Sequence, residues 1–282
     1  MEIANSVAEL RAHVARWRHA GQKVALVPTM GALHAGHLSL VERARVSADR
    51  GIVSIFVNPK QFGPTEDFGR YPRQMQADAA LLETIGTDLL FAPTVEEVYP
   101  EGYATSIRVS GLDAPMEGAS RPGHFDGVAT VVAKLLLMAA PDIAVFGEKD
   151  WQQLAIIRRM ARDLNLPIEI DGAPIIREAD GLAMSSRNAY LSAEERARAA
   201  ALPAAMRTAA AAIASGESAD SAIGAALEKL AAAGFVTDYL TLADAESLGE
   251  PRPGRPARLF AAARIGNTRL IDNWPISHAE TV

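Results

Sequence analysis

Between residues 23 and 170 the chain alternates short apolar, β-rich runs with stretches of helical periodicity, and few architectures accept that order. Residues 23–27 (KVALV) end at Pro28, a loop covers 29–36, and 38–49 has helical spacing. Residues 51–57 (GIVSIFV) are almost continuously apolar, as a strand buried on both faces would be. The pattern predicts further helices over 74–85, 128–140 and 151–164, and strands over 88–91, 143–147 and 168–170. The expectation is an α/β domain, a doubly wound parallel sheet with right-handed crossovers.

After about residue 176 the texture changes. Ser192 and Glu195 form a capping-box pattern opening an alanine-rich stretch that runs to 233, read as helix, with Pro203 kinking or dividing it. Residues 235–242, 258–264 and 268–272 read as strands, the last two joined at Gly266-Asn267 as a hairpin. The expected division is a main domain over 1–175 and a smaller α+β C-terminal domain over 176–282 that closes over the site.

Composition narrows the function. The 282 residues are 49% hydrophobic and 22% charged, which fits a globular chain rather than a disordered one. A formal net charge of −6 argues against a nucleic-acid partner, which needs a basic face to neutralise phosphates. A small anionic ligand stays compatible, because local basic groups can hold it. There is no cysteine, which removes disulfides, thiolate zinc sites and cysteine nucleophiles, and suits a reducing cytoplasm. No apolar run reaches the roughly 18 residues of a membrane helix; the best, 128–140, carries Lys134. Residues 6–18 are Arg-rich and amphipathic, as a transit peptide is, but Ser6 and Glu9 form a capping box, so a surface helix is expected there.

The most informative segment is Pro28-Thr29-Met30-Gly31-Ala32-Leu33-His34-Ala35-Gly36-His37, directly after the first of these strands and opening the crossover helix. Ligands of open α/β sheets bind at the carboxyl ends of strands, and a helix N-terminus offers N–H groups and partial positive charge to phosphate. Gly31 and Gly36 are expected to let the backbone turn tightly. His34 and His37, three apart, can donate to one phosphoryl group, and an imidazole donates without a permanent charge. Attack on the α-phosphorus of ATP builds negative charge that such donors stabilise. The same histidines can instead cap the helix or bind a metal.

Two later segments suit phosphate as well. Gly147-Glu148-Lys149-Asp150 ends a predicted strand and leads into a helix; Lys149 offers a point charge, and Asp150 an N-cap. Met184-Ser185-Ser186-Arg187 places two hydroxyls and a guanidinium in a turn-rich stretch. Taken alone, the first is equally a surface turn, and the second reads rather as a solvated turn with a surface ion pair. On the substrate side, Gln61 follows the strand at 51–57, residues 64–73 (PTEDFGRYPR) read as a loop able to act as a lid, and Gln153 lies on the helix after Asp150. Residues 121–125 (RPGHF) form a polar turn with no derivable role.

His-x-Gly-His after the first βαβ strand resembles the signature of the nucleotidyltransferase superfamily, and Met184-Ser185-Ser186-Arg187 resembles its Lys-Met-Ser-Lys-Ser loop, with Arg187 as the cation. The longer string from Pro28 to Leu40, PTMGALHAGHLSL, resembles the pantothenate synthetase family, and the likeness extends over residues 24–274. It implies a Rossmann-like N-terminal domain and an ATP-dependent ligase joining (R)-pantoate to β-alanine through a pantoyl-adenylate. It implies ATP contacts for Met30, Gly31, Ala32, Leu33, His34, Ala35, Gly36, His37, Gly147, Glu148, Lys149, Asp150, Ile176, Met184, Ser185, Ser186 and Arg187. Of these, His34, His37, Lys149, Ser185, Ser186 and Arg187 would be catalytic, with His37 as proton donor. Gln61 would meet pantoate and β-alanine, and Gln153 pantoate. Mg2+ is expected on the phosphates without a protein cage, and the family is usually homodimeric. The sequence departs from the family at Gln74, where Thr is expected, and at Asp126, where Arg is common. An adenylyltransferase that forms no amide is the alternative.

Overall fold

The computed structural model describes residues 1–64 and 66–276, and these form two compact units: residues 1–148 with 156–174, and 149–155 with 175–276. In chain order the first unit contains β1 (Glu2–Ala4), α1 (Val7–His19), β2 (Val24–Thr29), α2 (Ala35–Ser47), β3 (Arg50–Ile55), α3 (Met75–Thr84), β4 (Leu89–Phe91), α4 (Val95–Val98), α5 (Glu117–Ser120), α6 (His124–Ala139) and β5 (Ile143–Gly147). It also takes most of α7 (Trp151–Asp163), then β6 (Glu169–Ala173).

The six strands are all parallel, in the order β1-β4-β3-β2-β5-β6. The chain therefore winds outward from β2 through β3 and β4 on one side, and through β5 and β6 on the other. Both faces of the sheet are buried along its central strands β4, β3, β2 and β5. Val27, Val53, Leu90 and Val145 join Leu40, Val41 and Ala44 of α2 and Leu82 of α3 in one core cluster. Leu26, Ile52, Leu89 and Ala144, of the opposite parity along their strands, are equally buried. This explains why residues 51–57 show no polar alternation.

Local signals set the helix ends. The expected capping box opens α1: Ser6 Oγ accepts from Glu9 N at 3.2 Å, and Glu9 Oε2 accepts from Ser6 N at 3.1 Å. The three-residue β1 escapes the sequence pattern, because pairing with β4 rather than periodicity defines it.

In the second unit, β7 (Val236–Asp244), β8 (Ala257–Ile265) and β9 (Thr268–Ile276) form an antiparallel meander, with the predicted turn at Gly266 in left-handed conformation (φ 55°). The alanine-rich stretch is not one helix but three: α8 (Ala193–Ala199), α9 (Ala201–Ala214) and α10 (Ala219–Ala232). Ser192 and Glu195 do cap α8. Pro203 does not itself mark the break. The chain divides at Ala200, and the proline sits in the first turn of α9, where a missing N–H leaves no hydrogen bond unmade. The second break follows Gly216 (φ 98°), with Ser218 capping α10. The small side chains of these helices pack with Leu202, Met206 and Leu230 against Leu259, Ala261, Ala263 and Leu270 of the sheet.

One contact in the first unit ties the fold to the loop after β3. Gly127, on α6, lies so close to that loop that an added β-carbon would stand 2.2 Å from the Lys60 carbonyl oxygen and 2.7 Å from the Gln61 nitrogen. Both are backbone atoms and cannot swing aside. Gly127→Ala should therefore cost about 2–3 kcal/mol, as overpacking does, seen as a lower urea midpoint at unchanged m-value.

Candidate active site

The start of α2 is closed by its own histidines. His34 is the N-cap, with extended backbone, and its Nδ1 accepts from Gly36 N at 3.2 Å. His37 Nδ1 accepts from His34 N at 3.4 Å, completing a capping box, and the two rings lie with centroids 4.1 Å apart. The capping reading of these histidines is thus correct, and it does not compete with the donor reading. A backbone N–H can only donate, so each Nδ1 must accept, and each neutral ring carries its proton on Nε2. The cap fixes two imidazoles as neutral Nε2–H donors.

The backbone N–H groups expected to bind phosphate are largely engaged. Gly31 N donates to Thr29 Oγ1 (3.2 Å), while His37 N and Leu38 N donate to the His34 carbonyl. Ala32 N and Leu33 N donate to Asp78 Oδ2 and Oδ1, both at 2.9 Å. Asp78 is 1% exposed, in the first turn of α3, and holds the loop at Gly31 (φ 82°) and Ala32 (φ 52°), both left-handed. Gly36, by contrast, lies in the first turn of α2 without a left-handed torsion, so the expected tight turn is made at residues 31–32. Gln74, the position where Thr was expected, makes no cap bond; its Nε2 lies 3.3 Å from Asp78 Oδ1. Asp78 was missed in the sequence, although an acidic residue one helical turn before Leu82 on a buried helix face was the available signal.

The loops after β2, β3 and β5 leave the same edge of the sheet. Pairing between β2 and β5 covers Ala25–Ile143 and Leu26–Ala144, then stops three residues before both strands end at Thr29 and Gly147. That is the switch point of the sheet, where ligand crevices form.

After β3, a 3-10 turn (Pro59–Gln61) is capped by Asn58. Asn58 Oδ1 accepts from Lys60 N (3.2 Å) and from the Tyr99 hydroxyl (2.9 Å); its Nδ2 donates to Gly127 O and Gln61 Oε1, both at 3.1 Å. A backbone N–H on one side and a carbonyl on the other leave Asn58 one orientation. Gln61 then has its Oε1 engaged and presents Nε2 as a donor, 3.0 Å from Met30 Sδ. Burial pushes the Tyr99 hydroxyl's pKa well above its ordinary value, so that group remains a donor. In the expected lid, Thr65 lies outside the described residues; Phe62, Phe68 and Tyr71 cluster, with ring centroids 5.3 and 5.8 Å from Phe62.

In the second unit, Lys149 lies in a 3-10 turn (Glu148–Asp150), its Nζ 3.6 Å from Asp150 Oδ1 and its carbonyl accepting from Asn273 Nδ2 at 3.0 Å. Asn273 accepts in turn from Arg258, whose guanidinium lies 3.5 Å from the Trp151 ring centroid. Gln153 follows, half-buried on α7. Ile176 and Met184 face each other across a hairpin, Met184 N donating to Ile176 O at 3.0 Å. Ser185 caps the 3-10 turn Ser186–Tyr190 by accepting from Arg187 N at 3.3 Å, so its hydroxyl proton points elsewhere. Arg196 of α8 grips the hairpin through Glu178 and Asp180, which lowers the Asp180 pKa chiefly through that hydrogen bond.

Sheet order and the His-x-Gly-His cap at its switch point define an α/β protein of the Rossmann-like, doubly wound class. The family model described as pantoate-beta-alanine ligase matches residues 2–275. Pantothenate synthetase of Sphingopyxis alaskensis is 60% identical over 278 residues, 98% of this chain and 100% of that one; the Caulobacter vibrioides pantothenate synthetase is 56% identical over 97% of this chain and 98% of its own. The crystal structure of Thermus thermophilus pantothenate synthetase superimposes with a TM-score of 0.92 at 50% identity, covering 98% and 99% of the two chains. That of Francisella tularensis pantoate-beta-alanine ligase, complexed with beta-gamma ATP and beta-alanine, gives 0.83 at 34% identity, covering 98% of each. The chain belongs to the pantoate–β-alanine ligase family.

The cap geometry has a spectroscopic consequence. Long-range 1H–15N correlation near neutral pH should find both His34 and His37 protonated at Nε2, with Nδ1 behaving as the unprotonated acceptor. A proton on Nδ1 of either ring would contradict the cap.

Proposed function

We propose that this protein condenses pantoate with β-alanine at the expense of ATP, giving pantothenate, AMP and pyrophosphate. Its family membership over residues 2–275 is what carries the reading, and the paired Nε2–H donors at the switch point supply matching chemistry. In the first half-reaction a pantoate carboxylate oxygen attacks the α-phosphorus, and the bond to pyrophosphate breaks. In the second, the β-alanine amine attacks the acyl carbon, the bond to AMP breaks, and the nitrogen loses a proton as the amide forms.

The residue roles belong to the same proposal. His34 and His37 donate from Nε2 to α-phosphate oxygens, with His37 the proton donor; Lys149 and Arg187 supply positive charge, and Ser185 and Ser186 hydroxyl donors. Met30, Gly31, Ala32, Leu33, Ala35, Gly36, Gly147, Glu148, Asp150, Ile176 and Met184 complete the nucleotide contacts. Gln61, through its Nε2, receives pantoate and β-alanine, and Gln153 receives pantoate. Residues 64–73 exclude water from the acyl-adenylate. The nucleotide- and pantoate-binding domain is taken as 1–175, and the smaller α+β domain as 176–282.

The described residues contain no group of three or more His, Cys, Asp or Glu able to cage a metal. A Mg2+ ion would be carried by the triphosphate and water and would lower the charge on the phosphate oxygens. No helix among the described residues is long and apolar enough to cross a membrane. A cytoplasmic homodimer completes the reading, and sedimentation equilibrium should return twice the 30.0 kDa chain mass.

Purified protein given ATP, Mg2+ and pantoate should release pyrophosphate and hold an acyl-adenylate, then release AMP when β-alanine is added. A nucleotide product that persists after amine addition would favour the adenylyltransferase alternative. His37→Ala should slow pyrophosphate release on the order of 10²-fold, as loss of an oxyanion donor does; an undiminished rate would remove His37 from its role.

A further inference from the structure

The turn at residues 121–125 has no part in the roles assigned above, yet it grips the backbone of Gln61. His124 Nδ1 lies 2.7 Å from the Gln61 carbonyl oxygen, and Arg121 Nη2 donates to the same oxygen at 3.4 Å. His124 Nε2 faces Arg121 Nη1 at 3.0 Å. A guanidinium has no lone pair to offer, so Nε2 accepts, and Nδ1 carries the proton that the carbonyl receives. This is the opposite tautomer to that of His34 and His37. Arg121 also forms a bidentate pair with Glu66 at 2.6 and 2.7 Å, and Glu66 accepts from Gly63 N at 3.2 Å. The 3-10 turn that holds Gln61 and the loop after it therefore both hang from the start of α6.

We propose that His124 is a positioning residue for pantoate binding: it fixes the Gln61 carbonyl so that the Gln61 side chain, already oriented by Asn58, meets the substrate at one distance and angle. The inference rests on the assignment of Gln61 to pantoate. Burial, reinforced by the neighbouring positive charge of Arg121, lowers the His124 pKa to about 4, so the ring is neutral and its donor and acceptor atoms are constant at neutral pH. The Glu66 carboxylate stays ionised beside Arg121, because their hydrogen bond and charge outweigh the burial that would raise its pKa. Gly127, whose missing β-carbon lets α6 touch Lys60 and Gln61, sets the distance over which the His124 hydrogen bond acts.

A positioning role predicts a selective defect. His124→Ala should raise the KM for pantoate on the order of tenfold while leaving the KM for ATP within about twofold, since a displaced binding group loses its own substrate first. His124→Asn, whose Nδ2 can occupy the place of Nδ1, should recover most of the loss. Combined with Gln61→Ala, the His124→Ala substitution should add little, because both act through one side chain. Equal rises in both KM values, failure of Asn to rescue, or fully multiplicative effects with Gln61→Ala would overturn the inference. A Gln61→Ala enzyme with an unchanged pantoate KM would overturn the assignment of Gln61 and this inference with it. Raised KM in Gln61→Ala beside an unaffected His124→Ala would overturn the inference alone. If His124→Ala does not fold, the 15N spectrum of the unaltered protein decides: Nδ1 protonation supports the role, and Nε2 protonation refutes it.

Discussion

An α-helix begins with N–H groups that nothing inside the helix can accept, and at the start of α2 the protein answers with its own side chains. His34 and His37 take the N–H groups of Gly36 and His34, and Asp78 takes those of Ala32 and Leu33. The loop is therefore held in shape by side chains of the chain itself. The cap also sets each ring with its proton on Nε2, so two side-chain donors have fixed identities at the start of the helix. Such donors are fixed in advance and cost little reorganisation when charge develops.

One rule of orientation recurs across the first unit. His34, His37, His124, Asn58 and Gln61 are each set by a neighbour whose hydrogen bonding runs in one direction. Backbone N–H groups make His34 and His37 accept at Nδ1, and a guanidinium makes His124 accept at Nε2. The Lys60 N–H and the Gly127 carbonyl orient Asn58, which then turns Gln61 so that its amide nitrogen is offered. Protonating His34 or His37 on Nδ1 would set donor against donor and break the cap. The cap thus favours the neutral ring at both positions.

How much of this the sequence discloses follows from how local each feature is. The βα alternation, the capping boxes at Ser6–Glu9 and Ser192–Glu195, and the Gly266 turn are all written within a few residues, and the structure bears them out. The whole of His34–His37 lies within one turn of helix, so motif and geometry coincide. Asp78 lies 46 residues from Ala32, and His124 lies 63 from Gln61; only tertiary packing joins them. Pro203 signalled a break but not its place, because a proline is tolerated in the first turn it helps to open. The split at Gly216 was hidden by alanines on both sides that favour helix wherever they stand.

The glycines separate what the protein needs from what a ligand would need. Gly31 has a left-handed torsion and Asp78 Oδ2 3.0 Å from where a β-carbon would be; Gly127 would collide with backbone. The fold itself demands both. Gly147 differs. Its φ is ordinary, and a β-carbon there would meet only Leu40 at 4.0 Å, a normal contact. Among the described residues, nothing within van der Waals reach of that position excludes a side chain, although it ends β5 where the sheet opens beside β2. The packing of the fold therefore sets no requirement for glycine at this position, in contrast to Gly31 and Gly127.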